Sequence, residues 1–189
     1  GTVVPEGISE VNIVLGEALD TLVPVVDGKF AVTVPADVTL IGTLSAANYG
    51  TNFISDGTPL TIVLDEETTV TSAYPAVSVQ ERLNAFNAAE KGYIERYRAG
   101  QKEINEAQDK TDEEKKQAVE EFFETFFAEY KEYNVKAYTE NTDNFVSLFA
   151  LQNLRGEFED TELDSLLNLL APALKEHKFV KGMQDAITA

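Results

Sequence analysis

The chain has 189 residues, a formal net charge of −18, and a hydrophobic content of 43%. This content excludes a generally disordered chain, and the length suffices for one large or two small domains. The acidic surface repels phosphate backbones, so we expect no nucleic-acid partner, whereas a basic protein or divalent cations would be attracted. No cysteine is present, which excludes disulfides, thiolate metal sites and thiol catalysis within these residues.

Membrane and targeting segments are not evident. No apolar run approaches the ~18 residues of a membrane span, so we expect no membrane insertion of this segment. The chain begins at Gly1 without methionine and carries no signal peptide. We therefore expect that any secretion or lipid-anchor signal has been removed.

Alternating apolar residues predict short strands in the first part of the chain. The predicted strands lie at residues 11–15, 22–26, 30–34, 38–44 and 60–64. Pro24 favours an edge strand or a bulge, and Asp27-Gly28 is typical of a tight hairpin turn. Further turn signals lie at residues 48–50 and 56–59. Strands at this spacing predict an antiparallel β-sandwich or a barrel-like sheet.

From Ser78 onward apolar residues recur at three- and four-residue spacing, which predicts helices. Ser78 and Glu81 form a capping-box pattern, and Thr111 and Glu114 form a second one that predicts a helix ending near Thr139. The apolar arc of the first helix is about 100° wide and that of the second about 140°. We expect these helices to form a long hairpin, with the second also contacting other elements.

Three shorter helices are predicted after this hairpin. One passes through residues 146–154, one is capped by Asp160 or Thr161 and stops before Pro172, and the last segment runs over residues 174–187. The change of period near residues 74–77 predicts two domains, a β-sandwich at 1–76 and a helical domain at 77–189. The fold class is therefore predicted to be α+β.

Catalytic chemistry has little support in the residues. His177, the single histidine, lies in a charged stretch and is interpreted as a surface residue without a placed partner. Carboxylate pairs such as Glu66-Glu67 suggest a glycosidase, but neighbouring residues on a helix point about 100° apart and do not converge. We therefore expect no catalytic residue, cofactor or metal site in this chain.

Two acidic segments and one aromatic stripe are candidate binding elements. Residues 109–120 and 141–144 lack the glycine and alternating carboxylates of a calcium loop, so helix capping explains them better. The paired phenylalanines of the second helix are interpreted as core, with an aromatic groove for a ligand or partner helix as the alternative. Tyr49, Phe53 and Asp56 are candidate ligand or partner contacts, because loops bearing aromatics often bind.

Three segments carry a resemblance to a known family. They are VDGKF at residues 26–30, FISDGTPLTIVLD at residues 53–65 and NFVSLFALQNLR at residues 144–155. They resemble the N-terminal region of envelope thiol–disulfide oxidoreductases of Gram-negative gut and oral bacteria. In that family a β-rich domain of unassigned function and a helical segment precede a thioredoxin-like redox domain.

The resemblance implies a non-catalytic accessory or recognition module located in the periplasm or cell envelope, as part of a lipid-anchored protein. Its partners would be the downstream thioredoxin-like domain or envelope proteins. The family's C-x-x-C dithiol is absent, and we expect that the sequence was cut before that domain, which would begin near Ala189. A stand-alone envelope binding module and, less favoured, a carboxylate-dependent hydrolase are the alternatives.

Overall fold

The computed structural model describes residues 1–3 and 6–188 of an α+β protein in which strands precede helices. The strands are Thr2–Val3 (β1), Glu10–Leu15 (β2), Leu19–Pro24 (β3), Leu40–Ala46 (β4), Tyr49–Ser55 (β5), Leu60–Leu64 (β6) and Thr69–Ser72 (β7). The helices are Val79–Glu106 (α1), Asp112–Thr139 (α2), Val146–Asn153 (α3), Asp160–Asn168 (α4), Pro172–Lys175 (α5) and Lys178–Thr188 (α6). Ala189, where a redox domain was expected to begin, lies outside the described residues.

The chain forms two compact units, Gly1–Ala85 and Phe86–Ala189, which we call the β unit and the helical unit. The division falls inside α1. The first two turns of α1 belong to the β unit because their side chains bond to its strands. The predicted ranges, 1–76 and 77–189, place the boundary nine residues earlier, before the start of α1.

The β unit contains two sheets around one apolar core. The larger sheet has the strand order β3-β2-β4-β5 with antiparallel pairing throughout, and the smaller has the order β1-β6-β7. Alternation in β2 buries Val11, Ile13 and Leu15 in this core, as the sequence predicts. Ile62 and Leu64 contribute to the same core from the smaller sheet. The β1–β6 pair is parallel, so the sandwich is not wholly antiparallel.

The prediction of a strand at residues 30–34 is wrong. Phe30 is buried in the core, but residues 31–35 have no regular secondary structure. The ladder ends at Lys29, which forms isolated bridges to Thr2 and Val26, and no strand pairs with the residues that follow. Without a partner strand their backbone groups cannot enter a ladder.

The sequence pattern does not predict strands β5 and β7. The predicted turn at residues 48–50 lies one residue earlier, with Ala46 and Tyr49 paired across a two-residue loop. Ala47 adopts φ +50° in this loop, a conformation rare for alanine, so no sequence signal marks it. The turn at Asp27-Gly28 is confirmed, with φ of +51° and +70°. Pro24 is confirmed on edge strand β3.

The predicted caps are partly correct. Thr111 and Glu114 form the capping box of α2, but the box that begins α4 is made by Glu159 and Glu162 rather than by Asp160 or Thr161. Ser78 accepts the N–H of Gln80, as an N-cap does. The Glu81 carboxylate instead accepts the backbone N–H of Ser72 on β7, so the predicted S-x-x-E capping box is not formed.

The long hairpin of the helical unit is held by aromatic rings. Tyr93 and Tyr97 of α1 both contact Phe126 of α2, with ring centroids 5.9 and 5.2 Å apart. Separations of this size are typical of favourable aromatic pairs. The wider apolar arc of α2 also serves other helices, as predicted: α2 packs against α3, and the Tyr138 hydroxyl donates to the Leu166 carbonyl of α4 at 2.6 Å.

Two glycines of α1 make a matched prediction about this hairpin. A Cβ at Gly92 would meet nothing within 4 Å, whereas one at Gly100 would lie 2.3 Å from Cζ of Phe122. Gly92→Ala should therefore stabilise the protein by about 1 kcal/mol through helix propensity. Gly100→Ala should destabilise it by about 1–3 kcal/mol because the ring must move. Urea midpoints measure both, and equal stabilisation by the two variants would contradict this packing.

Candidate functional site

The β unit contains a half-open cavity of about 440 Å³ between its two sheets that could hold a ligand. Ligand sites in proteins commonly enclose about 300–1,000 Å³. Its apolar walls come from β2, β5, β6 and Phe30, through Ile13, Phe53, Leu60 and Ile62. Residues 31–36, which replace the strand expected there, form the remaining side. The segment that was expected to pair as a strand therefore lines the cavity instead.

Two close backbone approaches fix the shape of this cavity. The ring of Phe53 lies over Gly42, its register partner on β4, where a Cβ would come within 2.4 Å of the ring. Gly57 adopts φ +86°, and a Cβ there would lie 2.9 Å from the Ala36 carbonyl oxygen. Glycine at position 57 therefore allows residues 31–36 to lie against the turn after β5.

The chemistry of the lining is apolar with a few hydroxyl groups. Its polar side chains are Thr33, Ser55 and Thr58, and none of its side chains is ionisable. Ser55 is only 5% exposed, yet its hydroxyl makes no hydrogen bond to the described residues. Ser55 could not be predicted as a site residue, because a lone serine at the end of a strand gives no recognisable sequence signal.

The three residues predicted as ligand or partner contacts, Tyr49, Phe53 and Asp56, lie in different surroundings in the structure. Phe53 lines the cavity. Tyr49 begins β5 and packs, half-buried, against the core of the β unit, about 20 Å along the strand from Ser55. Asp56 follows Ser55 directly, but both of its carboxylate oxygens are occupied by hydrogen bonds. Only Phe53 is thereby placed where a ligand in this cavity could touch it.

Asp56 holds the start of α1. One oxygen accepts the backbone N–H of Val79 at 2.8 Å and the Ser78 hydroxyl at 3.1 Å, while the other accepts the N–H and hydroxyl of Thr58. Burial raises the pKa of Asp56, but these hydrogen bonds outweigh it, and the pKa is lowered overall. Since Thr58 lines the cavity, this network also fixes one of the cavity's hydroxyl groups.

The helical unit contains a second polar cluster, centred on Glu90. One oxygen of Glu90 accepts the Tyr130 hydroxyl at 2.5 Å and the Asn153 side-chain amide at 2.8 Å. The other oxygen, Oε1, is buried and has no hydrogen-bond partner among the described residues. Burial therefore raises the pKa of Glu90, partly offset by its hydrogen bonds. No cavity opens at this cluster among those described, so it is structural.

His177 is half-buried rather than a free surface residue. Its ring packs edge-on against Phe145 with centroids 6.0 Å apart, and its Nδ1 accepts the N–H of Phe179 at the start of α6. Burial lowers the pKa of His177, with a smaller effect from Lys178. A histidine committed to capping a helix is not placed for acid–base work.

The paired phenylalanines of α2 divide between core and surface. Phe126 is buried in the hairpin, whereas Phe123 and Phe127 are 41% and 38% exposed, with ring centroids 4.2 Å apart. The core interpretation therefore holds for one side of the stripe. The exposed rings lie side by side on the helix surface.

Neither acidic segment forms a metal site in the described part of the chain, where no three histidine or carboxylate groups converge. Residues 109–120 contain the N-cap and first turns of α2. In residues 141–144, Asn144 accepts the N–H of Val146 and donates to Asn141 and Asp143, which stabilises the turn into α3. No described helix is long and apolar enough to cross a membrane.

Comparison with protein-family models finds no match, and searches of curated proteins and of solved structures find no significant similarity either.

The Asp56 network predicts a specific loss of stability. Asp56→Ala should destabilise the protein by about 1 kcal/mol, the usual value of a helix cap, and Asp56→Asn should lose less because asparagine also caps helices. Because the folded pKa is depressed, the stabilisation is present above the unfolded value of 3.8 and is lost as pH falls through the folded value. Urea midpoints from pH 3 to 7 should show the Ala variant converging on wild type at low pH. A constant difference would contradict the assignment.

The Glu90 cluster predicts the opposite pH dependence. Because burial raises the pKa of Glu90, its protonated side chain contributes full stability below the unfolded pKa of 4.5. This contribution is lost as pH rises through the pKa of the folded state. Glu90→Gln should therefore gain stability relative to wild type between pH 4.5 and 7. Glu95→Gln, an exposed change on the same helix, is the control and should follow wild type. Parallel curves for wild type and Glu90→Gln in urea melts would disprove the buried charge.

Proposed function

We propose that this chain is a non-catalytic recognition module of a cell-envelope thiol–disulfide oxidoreductase. The parent protein would lie in the periplasm or cell envelope, anchored by lipid, and would carry a thioredoxin-like domain beyond this chain. The resemblance of the segments at residues 26–30, 53–65 and 144–155 supports this context. Two of these segments supply Phe30 and Phe53, which line the cavity. The partners would be that domain and envelope proteins.

One observation carries the recognition role. The cavity of the β unit offers apolar surface and hydroxyl groups; none of its described side chains is ionisable, and the Gly1 α-amino group in its lining is bonded to the Phe30 carbonyl. General acid–base or nucleophilic catalysis requires a titratable group, or a nucleophile activated by one, within hydrogen-bond reach of the substrate. Such a site supports binding and gives no support to bond-making. The carboxylate-dependent hydrolase gains no support either, because no Asp or Glu is among the described residues that line this cavity.

The second candidate is a stand-alone envelope module that captures a ligand. The volume of the cavity favours it, since 440 Å³ is sufficient for a small molecule. The gene around this chain separates the two candidates. A downstream C-x-x-C in the same polypeptide favours the oxidoreductase module, and a polypeptide without one favours the stand-alone module.

The oxidoreductase context has a kinetic test on the full-length product of the gene. Val32 lines the cavity and is 39% exposed, so Val32→Asp places a charge at its mouth. This change should lower kcat/KM for protein disulfides by about tenfold, or about 1.4 kcal/mol, while the rate with a small disulfide stays unchanged. Val38→Asp, at a 50% exposed position that does not line the cavity, is the matched control.

Two results would count against this proposal. Equal losses for protein and small disulfides would indicate damage to the redox domain, and unchanged rates in the Val32→Asp variant would remove the cavity from substrate recognition.

A further inference from the structure

The Ser55 hydroxyl is the least expected group in the cavity. Buried hydroxyls in folded proteins nearly always have a hydrogen-bond partner. Ser55 is only 5% exposed, yet its hydroxyl forms no hydrogen bond with a described residue. Glu90 Oε1 is the one described side-chain atom that is both sealed and unpartnered, so the Ser55 oxygen keeps some access to solvent. Ser55 lines the cavity, so solvent reaches its hydroxyl through the cavity.

The surroundings of Ser55 favour an apolar occupant. The rings of Phe30 and Phe53 and the side chains of Ile13 and Ile62 supply most of the neighbouring wall. Burying an apolar molecule against such a wall is favourable by roughly 25 cal/mol per Å². A hydroxyl within that wall adds a directional contact, which is the usual composition of a small-molecule site.

Charge excludes an ionised occupant. Before Ser78 the chain carries ten acidic residues and a single basic one, Lys29, so an anion would be repelled. No described lining side chain is cationic or anionic. The α-amino group of Gly1, which also lines the cavity, already donates to the Phe30 carbonyl at 2.6 Å, and burial lowers its pKa. Asp56 is the nearest carboxylate in sequence, and both of its oxygens are bonded to Thr58, Ser78 and Val79. An unpaired charge in an apolar site costs several kcal/mol.

We infer that the cavity of the β unit binds an uncharged, largely apolar small molecule that forms one hydrogen bond with the Ser55 hydroxyl. This inference deepens the proposed recognition function, because it names the chemical class that the module recognises. It rests on the cavity alone and not on the redox context, so either can fail without the other.

A pair of fluorescent probes with one skeleton tests the inference. N-phenyl-1-naphthylamine is neutral and carries one N–H donor, and 8-anilinonaphthalene-1-sulfonate is the same molecule with an anionic sulfonate. Titration of the whole 189-residue chain should show saturable one-to-one enhancement with the neutral probe. The sulfonate should bind at least about tenfold more weakly, because its charge is unpaired in the cavity.

Variants locate the binding. Ser55→Ala should weaken the neutral probe by about three- to tenfold, the effect of one hydrogen bond, and Val32→Asp should weaken it further. Ser45→Ala, an exposed change on neighbouring strand β4, is the matched control and should leave binding unchanged. Phe127→Ser removes an exposed ring of the helical unit and should also leave it unchanged. Urea midpoints confirm that each variant is folded.

Four outcomes would overturn the inference. They are absence of saturable binding, equal affinity for the two probes, full affinity in Ser55→Ala, and loss of binding in Phe127→Ser, which would place the probe on the hairpin. Saturable binding of an uncharged apolar peptide, with no binding of either probe, would instead assign the cavity to protein segments. None of these results depends on disulfide reductase rates, which test the proposed function separately.

Discussion

The β unit depends on the polar side chains in the first two turns of α1. Gln80 accepts the N–H of Ile54 on edge strand β5, and Glu81 accepts the N–H of Ser72 on edge strand β7. Asn84 donates to the Val70 carbonyl of β7. Unpaired edge groups are costly when buried and promote aggregation when exposed. Three side chains from the first two turns of one helix therefore bond to the edges of both sheets. Asp56, in the turn after β5, in turn accepts the N–H of Val79 at the start of that helix.

This constraint explains how a cavity persists in a small sandwich. Asp56 ties the turn after β5 to α1, and Gly57 lets residues 31–36 approach the same turn. The two sheets are thus fixed at this end by polar contacts and backbone approach rather than by apolar filling. The space between them remains lined by apolar side chains and hydroxyls. A site of this composition selects ligands by shape and by lack of charge, while the acidic surface excludes anions.

The helical unit is stabilised mainly by aromatic packing. Large rings fill the space between α1 and α2, and one carboxylate, Glu90, is bonded to Tyr130 and Asn153 within this apolar packing. Its buried, unpartnered oxygen makes the cluster a source of pH-dependent strain rather than a binding site. Helical periodicity could predict the rings but not this cluster, because its three residues are 23 to 63 positions apart in sequence. Only packing brings α3 against the hairpin.

The sequence by itself determined the α+β class, the long hairpin and the N-terminal capping box of α2, because these depend on local periodicity and on spacings of three and four residues. It identified Phe53 as a candidate contact but neither Ser55 nor the segment at residues 31–36. Apolar alternation at residues 30–34 predicts a strand, and no local signal reports whether a partner strand exists. Pairing is a long-range event, so only the tertiary structure decided that this segment borders a cavity and that Asp56 serves a helix rather than a ligand.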